Sequence, residues 1–428
     1  MNKNIRQTIC TLLLIPVALT GCKMALPADS RADQNKESDA DLIISTPAEE
    51  KSTDYEENDY ARVPDIDYED PNLNIKLTDL SGKALAAIEA SDSGMIVPDM
   101  GIFYKLDDDY HLKKMTEDAI PEDIILGSSN EYSYETFYAR TCVDRKLYTL
   151  AIKGDPQDQK EDQLYLVEFD LKEGSKNEYL ISDNGFPYAS LTSRGDKIVL
   201  FFHDQKEKLT DRIIEFDCST KKIRELLTYT LDNDLAGESV RSIYADKDSF
   251  YVLKTIYNGA ANISMAVDVF DKEYNKIKTY DITNAMIKAT LESAKTEDLN
   301  ELIQAVSSFN IFDGRYLYYE NFSVTRAFID LKDSSLLYAF PDTFTSSLGN
   351  GSKVFYSLFC LESGANIDPR AVYIFDKGEL KKIPTAILDD GQQISSVTAS
   401  PDGYYMISIS GEDNNPYLAK IVSSQELR

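Results

Sequence analysis

Short apolar stretches separated by compact polar turns recur along most of this chain of 428 residues. The clearest copy occupies residues 394–424, where Pro401-Asp402-Gly403 separates two stretches of alternating apolar and polar positions. Alternation with a period of two is typical of β-strands, and glycine readily adopts the positive φ that a tight turn needs. The pattern therefore predicts strand, turn, strand, loop and strand within this copy.

A polar turn followed by an apolar strand marks seven such units. From Gly94 to Asp402 the six intervals between successive turns average about 51 residues, which is typical of repeat architectures. The strands predicted after the turns include 146–152, 197–202, 250–254, 316–319, 353–359 and 404–409. The turns themselves are Ser93-Gly94, Asp144-Arg145, Gly195-Asp196, Lys247-Asp248, Asp313-Gly314, Asn350-Gly351 and Asp402-Gly403.

A second marker lies farther along each unit, where an aspartate closes the third strand. An aspartate side chain can accept hydrogen bonds from the backbone of a turn, which favours this residue type where the chain reverses. Fourth strands are predicted after these turns, as at 178–181, 276–280 and 379–383. The closing residues are Asp107, Asp170, Asp217, Asp271, Asp330 and Asp376.

Four strands per unit and seven units predict an all-β fold, a β-propeller of seven four-stranded blades over residues 73–428. The last unit ends after three strands, and residues 73–78 alternate in the manner of a strand that completes it. The first unit is weakly marked, so six or eight blades remain alternatives. An unclosed pair of sheets is the structural rival.

The longest interval between units contains a pattern of a different period. Thr283-Asn284 can cap a helix, and Met286, Ile287 and Leu291 recur near helical spacing. We predict a short helical insertion, of one or two helices, near residues 284–306 on the rim of the propeller. Its role is either packing or the docking of a partner.

The first 21 residues are predicted to be a lipoprotein signal peptide. Lys3 and Arg6 precede an apolar stretch at 9–19, which is too short to span a bilayer. The segment Leu19-Thr20-Gly21-Cys22 resembles the lipobox of bacterial lipoproteins. The resemblance implies lipidation of Cys22 and a protein anchored in the cell membrane on its extracytoplasmic face. An ordinary secretory peptide with an accidental cysteine is the alternative.

Residues 22–72 contain the lipidated cysteine and a strongly acidic stretch. From 23 to 72 fifteen acidic residues face five basic ones, and few residues are apolar. This composition predicts a disordered tether. The alternatives are that Asp54–Asp70 is a docking peptide for a basic partner or a weak calcium-binding stretch. The net charge of −28 for the whole chain argues against nucleic-acid binding.

No catalytic, cofactor-binding or metal-binding residue is predicted. His111 and His203 fall in different units, so we interpret them as solvated strand ends rather than a metal pair. Cys142, Cys218 and Cys360 are widely spaced and next to apolar strands, and we interpret them as small buried hydrophobes. The integrin-type tripeptide Arg194-Gly195-Asp196 occupies a position where other units place a hairpin turn, and turn chemistry accounts for it.

One motif resembles a known family of propellers. The run from Ser400 to Tyr404 is similar to the strand-connecting motif of WD-repeat-like propellers, including the periplasmic Tol-system family, and Asp313 to Tyr316 is a partial copy. The resemblance implies a cell-envelope binding platform and supplies no active residues. We therefore expect a monomeric, non-catalytic scaffold that binds a protein, a peptide or a glycan. The alternatives are a propeller enzyme of lyase, glycosidase or cyclase type, and a sensory or assembly factor of an envelope complex.

Overall fold

The structure is a computed structural model of the chain. It describes residues 72–77, 95–99, 102–106, 111–114, 124–125, 140–155, 158–170, 173, 175–183, 185–186, 190–204, 210–232, 236–259, 263–294, 306–321, 326–340, 344–346, 354–357, 372–384, 388, 391–399, 404–410 and 416–423. These residues form seven antiparallel sheets, which we number 1 to 7 in chain order. In five of these sheets the strands pair in the order in which they follow along the chain, and the other two sheets each include one strand out of that order.

The first three sheets contain strands β2 to β14. Sheet 3 has five strands, one of which is only two residues long. The strands of sheet 1 are β2 (Met95–Asp99), β3 (Ile102–Leu106), β4 (His111–Lys114) and β5 (Ile124–Ile125). Those of sheet 2 are β6 (Arg140–Val143), β7 (Lys146–Asp155), β8 (Asp158–Asp170) and β9 (Lys176–Ser182). Those of sheet 3 are β10 (Gly185–Phe186), β11 (Leu191–Arg194), β12 (Lys197–Asp204), β13 (Thr210–Asp217) and β14 (Ile223–Thr230).

The remaining sheets contain strands β15 to β29 and β1 (Leu73–Leu77). Sheet 4 is β15 (Ala236–Ala245), β16 (Phe250–Asn258), β17 (Ile263–Phe270) and β18 (Lys276–Asp281). Sheet 5 is β19 (Val306–Phe312), β20 (Tyr316–Asn321), β21 (Arg326–Asp330) and β22 (Ser335–Phe340). Sheet 6 is β23 (Phe344–Ser346), β24 (Val354–Ser357), β25 (Val372–Asp376) and β26 (Glu379–Ile383). Sheet 7 is β27 (Gln393–Ala399), β28 (Tyr404–Ser410), β29 (Pro416–Ser423) and β1.

Most of the contacts between successive sheets involve their first strands, as in the blades of a propeller. Strand β11 contacts both β6 and β15, and β15 contacts β19. Strand β2 contacts both β6 and β27, so the first sheet lies between the second and the last. The predicted β-propeller is confirmed, and the seven described sheets agree with a count of seven blades.

The N-terminal strand β1 completes sheet 7. It pairs antiparallel with β29, from Leu73 opposite Ser423 to Leu77 opposite Ala419. Ile75 lies opposite Ile421, and both pack against the apolar core between sheets 6 and 7. The predicted closure by residues 73–78 is therefore confirmed for 73–77. Strand β1 comes from the opposite end of the described chain and gives sheet 7 its fourth strand. Sheet 7 therefore has as many strands as most of the other sheets.

The predicted hairpin turns occur where the described residues include them. At the turn between β6 and β7, Asp144 and Arg145 have φ values of 50° and 59°. Asp313 and Gly314 have φ values of 54° and 64° between β19 and β20. Consecutive positive φ values match the twist of the flanking strands. The turns at 93–94, 350–351 and 402–403 lie outside the described residues.

Aspartates at the ends of third strands accept backbone hydrogen bonds, as predicted. Asp217 Oδ1 lies 2.8 Å from the backbone nitrogen of Thr220. Asp271 Oδ1 lies 2.8 Å from that of Asn275. Asp170 and Asp330 accept a bond in the same way. These bonds satisfy backbone groups where the chain turns into the fourth strand.

Helix α1 (Thr283–Ala294) confirms a helical insertion after sheet 4. Asp281 Oδ1 accepts the Thr283 backbone N–H at 2.9 Å, while the Thr283 hydroxyl accepts the Met265 N–H at 3.0 Å. The cap is thus Asp281 and not the predicted Thr283-Asn284, because the Thr283 side chain joins the helix to β17. The helical insertion was predicted to extend to about residue 306, but Val306 is the first residue of β19. Residues 295–305 lie outside the described residues.

The helix and the sheets bury their apolar faces against neighbouring sheets. Ala285, Met286 and Ala289 of α1 are buried against sheets 4 and 5, which supports a packing role for the helix. Between sheets 5 and 6, the rings of Phe328 and Phe375 stack with centroids 4.1 Å apart. Each interface of this kind adds apolar burial that one sheet alone could not achieve.

Candidate functional site

Three consecutive sheets bury a carboxylate at the same position of the third strand. Glu168, Glu215 and Asp268 expose only 1%, 5% and 0% of their surface. Each lies opposite the third residue of the second strand. A carboxylate removed from water needs hydrogen-bond donors or cations to offset its lost hydration. We therefore take as the candidate site these three carboxylates and the side chains that donate hydrogen bonds to them.

Among the described residues, Asp268 and Lys254 form the most enclosed ion pair. We call these two residues, with Glu238, Lys276 and Tyr229, the Lys254 cluster. Lys254 Nζ lies 2.8 Å from Asp268 Oδ2 and 2.7 Å from Glu238 Oε1. Lys254 is 2% exposed, and Lys276 Nζ approaches Asp268 Oδ2 at 2.9 Å. The Tyr229 hydroxyl of sheet 3 donates to the same oxygen at 3.3 Å. The cluster thus spans the interface between sheets 3 and 4.

The protonation of the Lys254 cluster follows from these contacts. Burial alone would lower the pKa of Lys254, but hydrogen bonds to Asp268 and Glu238 outweigh burial and raise it. Burial would likewise raise the pKa of Asp268, and its hydrogen bonds from Lys254, Thr279 and Lys276 hold it below its usual range. Both groups are charged at neutral pH. The pair lies within sheet 4, and the Tyr229 hydroxyl links it to sheet 3.

His203 and Asp211 lie next to the Lys254 cluster in sheet 3. His203 Nδ1 is 2.7 Å from Asp211 Oδ1, and Asp211 Oδ2 accepts the backbone N–H of Val240 in sheet 4 at 2.6 Å. His203 is 7% exposed and Asp211 2%. The interpretation of His203 as a solvated strand end was wrong, because this carboxylate partner lets the imidazole be buried. His111 lies on β4 of sheet 1, and its side chain is outside the described residues.

Glu168 has four donors around it, a group that we call the Glu168 cluster. Lys146 Nζ lies 2.8 Å from Oε1, and the hydroxyls of Tyr148 and Tyr179 lie 3.0 and 3.3 Å from Oε2. Lys221, from the outer turn of sheet 3, donates to Oε2 as well. Burial would raise the pKa of Glu168, but the hydrogen bonds from Lys146, Lys221 and Tyr148 lower it. Burial and the nearby carboxylate raise the pKa of Tyr179 to about 12.

Glu215 repeats this arrangement one sheet later. The Tyr274 hydroxyl, from the outer turn of sheet 4, donates to Glu215 Oε2 at 2.8 Å, and Arg224 Nη2 lies 3.0 Å from Oε1. Lys221 and Tyr274 both have positive φ, 58° and 64°, in the turn between third and fourth strands. In both sheets the buried carboxylate accepts a hydrogen bond from a side chain in the outer turn of the next sheet: Lys221 donates to Glu168, and Tyr274 donates to Glu215. Burial and Glu215 together raise the pKa of Tyr274 to about 12.

The other residues that the sequence singled out have structural partners or lie outside the described residues. Gly195 has a φ of 62° in the turn between β11 and β12, as turn chemistry predicts for Arg194-Gly195-Asp196. Arg194 itself donates to the Lys272 carbonyl of sheet 4 at 3.2 Å and lies 5.4 Å from the Tyr274 ring centroid. Cys142 and Cys218 are half-buried rather than fully buried, and burial raises the pKa of the Cys218 thiol. Cys22 and Cys360 lie outside the described residues. In the part of the chain that the structure describes, no group of three or more His, Cys, Asp or Glu side chains could hold a metal ion.

The strand pattern did not predict the buried charges. A signal was present, because Glu168-Phe169-Asp170 and Glu215-Phe216-Asp217 share the order Glu, Phe, Asp at the end of an apolar strand. A carboxylate that recurs among apolar neighbours marks a paired, buried group. The partners from neighbouring sheets carry no comparable signal.

Comparisons of the sequence with known protein families and curated proteins do not assign this chain to a family. No protein-family model matches this sequence, and no curated protein matches it either. No helix of the described segments is long and apolar enough to cross a membrane.

Several solved structures resemble the chain at low identity. The β-propeller domain of the Trilobed protease from Pyrococcus furiosus shares 12% identity, over 64% of this chain and 77% of that one, with a TM-score of 0.38. The Pyrococcus horikoshii acylaminoacyl peptidase shares 14%, over 69% of this chain and 47% of that one, with a TM-score of 0.41. YCF48 bound to D1 peptide shares 8%, over 84% and 97%, with a TM-score of 0.38. This chain spans about half the length of the acylaminoacyl peptidase. The propeller fold of this chain is seen in its seven described sheets.

Proposed function

We propose that this protein is a lipid-anchored, extracytoplasmic propeller that binds a protein, peptide or glycan ligand and does not catalyse a reaction. One observation carries the non-catalytic part: the buried titratable groups of the Glu168 and Lys254 clusters are paired with one another. Paired charges of fixed protonation hold neighbouring sheets together. A catalytic acid or base needs a pKa near the working pH and access to a substrate.

The proposed anchor at Cys22 precedes β1 in the sequence. Leu73 is the first residue of the outermost strand of sheet 7, and Cys22 precedes it by 51 positions in the sequence. The chain between Cys22 and the propeller therefore joins at the outer edge of the ring, away from its innermost strands. Acyl chains on Cys22 would hold the protein on the membrane through burial of methylene groups, at about 0.8 kcal/mol each.

A crosslinking experiment in cells tests this function. The full chain is crosslinked at the cell surface and recovered, beside Cys22→Ala and the matched control Cys10→Ala, which leaves the lipobox cysteine in place. We expect one envelope protein or one cell-wall glycan to be enriched with the natural chain and with Cys10→Ala, and lost with Cys22→Ala. Equal recovery with Cys22→Ala, or no ligand with any variant, contradicts the proposal.

A further inference from the structure

Arg241 lies on β15, the first strand of sheet 4, where the strand is irregular. The register between β15 and β16 shifts between Val240 and Ser242, so Arg241 is the extra residue of a β-bulge. A bulge changes the direction of a side chain and often lies beside a functional site. The Arg241 side chain is half-buried, and β15 belongs to the inner set of strands that contact each other from sheet to sheet.

The partners of the Arg241 guanidinium are neutral. Its Nε donates to the Thr255 hydroxyl at 2.8 Å, and one Nη2 hydrogen is donated to the Tyr257 hydroxyl. The guanidinium carbon lies 6.0 Å from the centroid of the Tyr257 ring. A guanidinium carries five N–H donors in a rigid planar fork. Two of them are fixed by Thr255 and Tyr257, which leaves a pre-oriented cation with three further donors.

Four other arginines of the described segments are paired with carboxylates, which Arg241 is not. Arg212, Arg224 and Arg326 each have a nitrogen within 3.0 Å of a carboxylate oxygen, and Arg315 is paired with Asp330. No carboxylate of the described residues lies within ion-pair distance of Arg241. The chain as a whole has a net charge of −28, so carboxylates are abundant. The half-buried Arg241 guanidinium is held by hydroxyls and has further N–H donors to offer an external anion.

We propose that Arg241 binds a carboxylate group of the ligand, with Thr255 and Tyr257 holding the guanidinium in place. This inference rests on the proposed binding function and names the chemistry of its ligand. A carboxylate can accept two parallel N–H bonds from a guanidinium, a geometry that lysine cannot supply. The carboxylate comes from an acidic peptide or from a uronic acid of a glycan, and the experiment distinguishes these two sources.

Calorimetric titration of the full chain tests the site with two probes. The probes are a tetraglutamate peptide and a trigalacturonate, each beside its uncharged counterpart, tetraglutamine or a neutral trisaccharide. We expect one acidic probe to bind and its counterpart to bind at least roughly tenfold more weakly, as the loss of one charge-assisted bond pair implies. Arg241→Met should weaken binding by a similar factor. The matched control Arg212→Met removes the same charge from a carboxylate-paired arginine and should leave the affinity unchanged.

Arg241→Lys keeps the positive charge, so it tests the site even if Arg241→Met does not fold. We expect it to bind more weakly than the natural chain because the planar fork is lost. Equal affinity in Arg241→Met and Arg212→Met, or no binding of either acidic probe, overturns the proposal. In the cellular crosslinking experiment, recovery of a ligand with Arg241→Met at the natural level rejects this site while the binding function stands. Loss of recovery for every variant rejects the binding function itself.

Discussion

The ammonium of Lys254 lies 2.8 Å from the carboxylate of Asp268, and the two side chains are 2% and 0% exposed. They come from adjacent strands of sheet 4 and face sheet 3, where the Tyr229 hydroxyl also reaches Asp268. A pair so enclosed is stable only while both members are present, because either charge alone would lack compensation.

Replacement of Lys254 by methionine should lower the free energy of unfolding by about 3 kcal/mol, because Asp268 then keeps only partial compensation. Urea unfolding followed by circular dichroism measures the change. The matched control is Lys278→Met, on the exposed strand β18, where the ammonium lies over the Tyr280 ring at 3.9 Å. A loss for Lys254→Met no larger than for Lys278→Met would contradict a stabilising role for the pair.

The stability of the protein should fall as the pH is lowered below about 5. The folded state holds the pKa of Asp268 and of Glu168 below their usual ranges, so it binds fewer protons than the unfolded chain in this window. The stabilisation is complete above the unfolded pKa values and is lost as the pH falls through the folded ones. Asp268→Asn should reduce the slope of the unfolding free energy between about pH 5 and pH 3. Equal slopes in the variant and the natural chain would refute this assignment.

Glu168 and Lys221 should be coupled across the interface between sheets 2 and 3. We expect a double-mutant cycle of Glu168→Gln and Lys221→Met to give a coupling free energy of about 1 to 2 kcal/mol. Lys146, on the same sheet as Glu168, provides the comparison within one sheet. The Lys221 coupling would be disproved if the two single losses simply added.

The closure of the ring by β1 predicts a large effect of a charge at Ile75. Ile75→Asp places a carboxylate in the apolar core shared with Ile421, and we expect a loss of about 2 kcal/mol or more. Lys420→Asp, at an exposed position of the neighbouring strand β29, is the matched control. Urea midpoints compare the two variants, and equal midpoints would argue against closure by β1.

Lipidation at Cys22 predicts a change of location. Cys22→Ala should move the protein from the membrane fraction to the soluble or secreted fraction, because the acyl anchor is lost. Cys10→Ala lies within the apolar stretch of the same segment and should leave the protein on the membrane. Membrane retention of Cys22→Ala would instead favour an uncleaved or non-lipid anchor.

Much of the fold could be predicted because its signals are local. Asp144 and Asp313-Gly314 mark turns because aspartate and glycine adopt positive φ more readily than most residues. Asp217 and Asp271 accept hydrogen bonds from backbone groups three and four residues away. The prediction of the helix start was less accurate. The Thr283 hydroxyl accepts the Met265 N–H of β17, and the Asp281 side chain instead accepts the Thr283 N–H at the start of the helix. A residue's contact with another strand outweighed its local preference there.

The candidate site depended on long-range contacts. His203 looked like a solvated strand end because its partner Asp211 and the Val240 N–H meet it only when sheets 3 and 4 pack together. Arg241 carries no motif, and its neutral surroundings are visible only once β15 bulges against β16.

The repeat, the turn positions and the closing strand follow from the order of residues, because period-two patterning and turn chemistry act over a few residues. The pairing of Glu168 with Lys221 spans 53 residues, and that of Glu215 with Tyr274 spans 59. Such pairs exist only because one sheet packs on the next. Burial then makes each partner indispensable, since a carboxylate removed from water is stable only beside a donor or a cation. The propeller could therefore be predicted from the chain, whereas the pairing of its buried charges was decided by how the sheets meet.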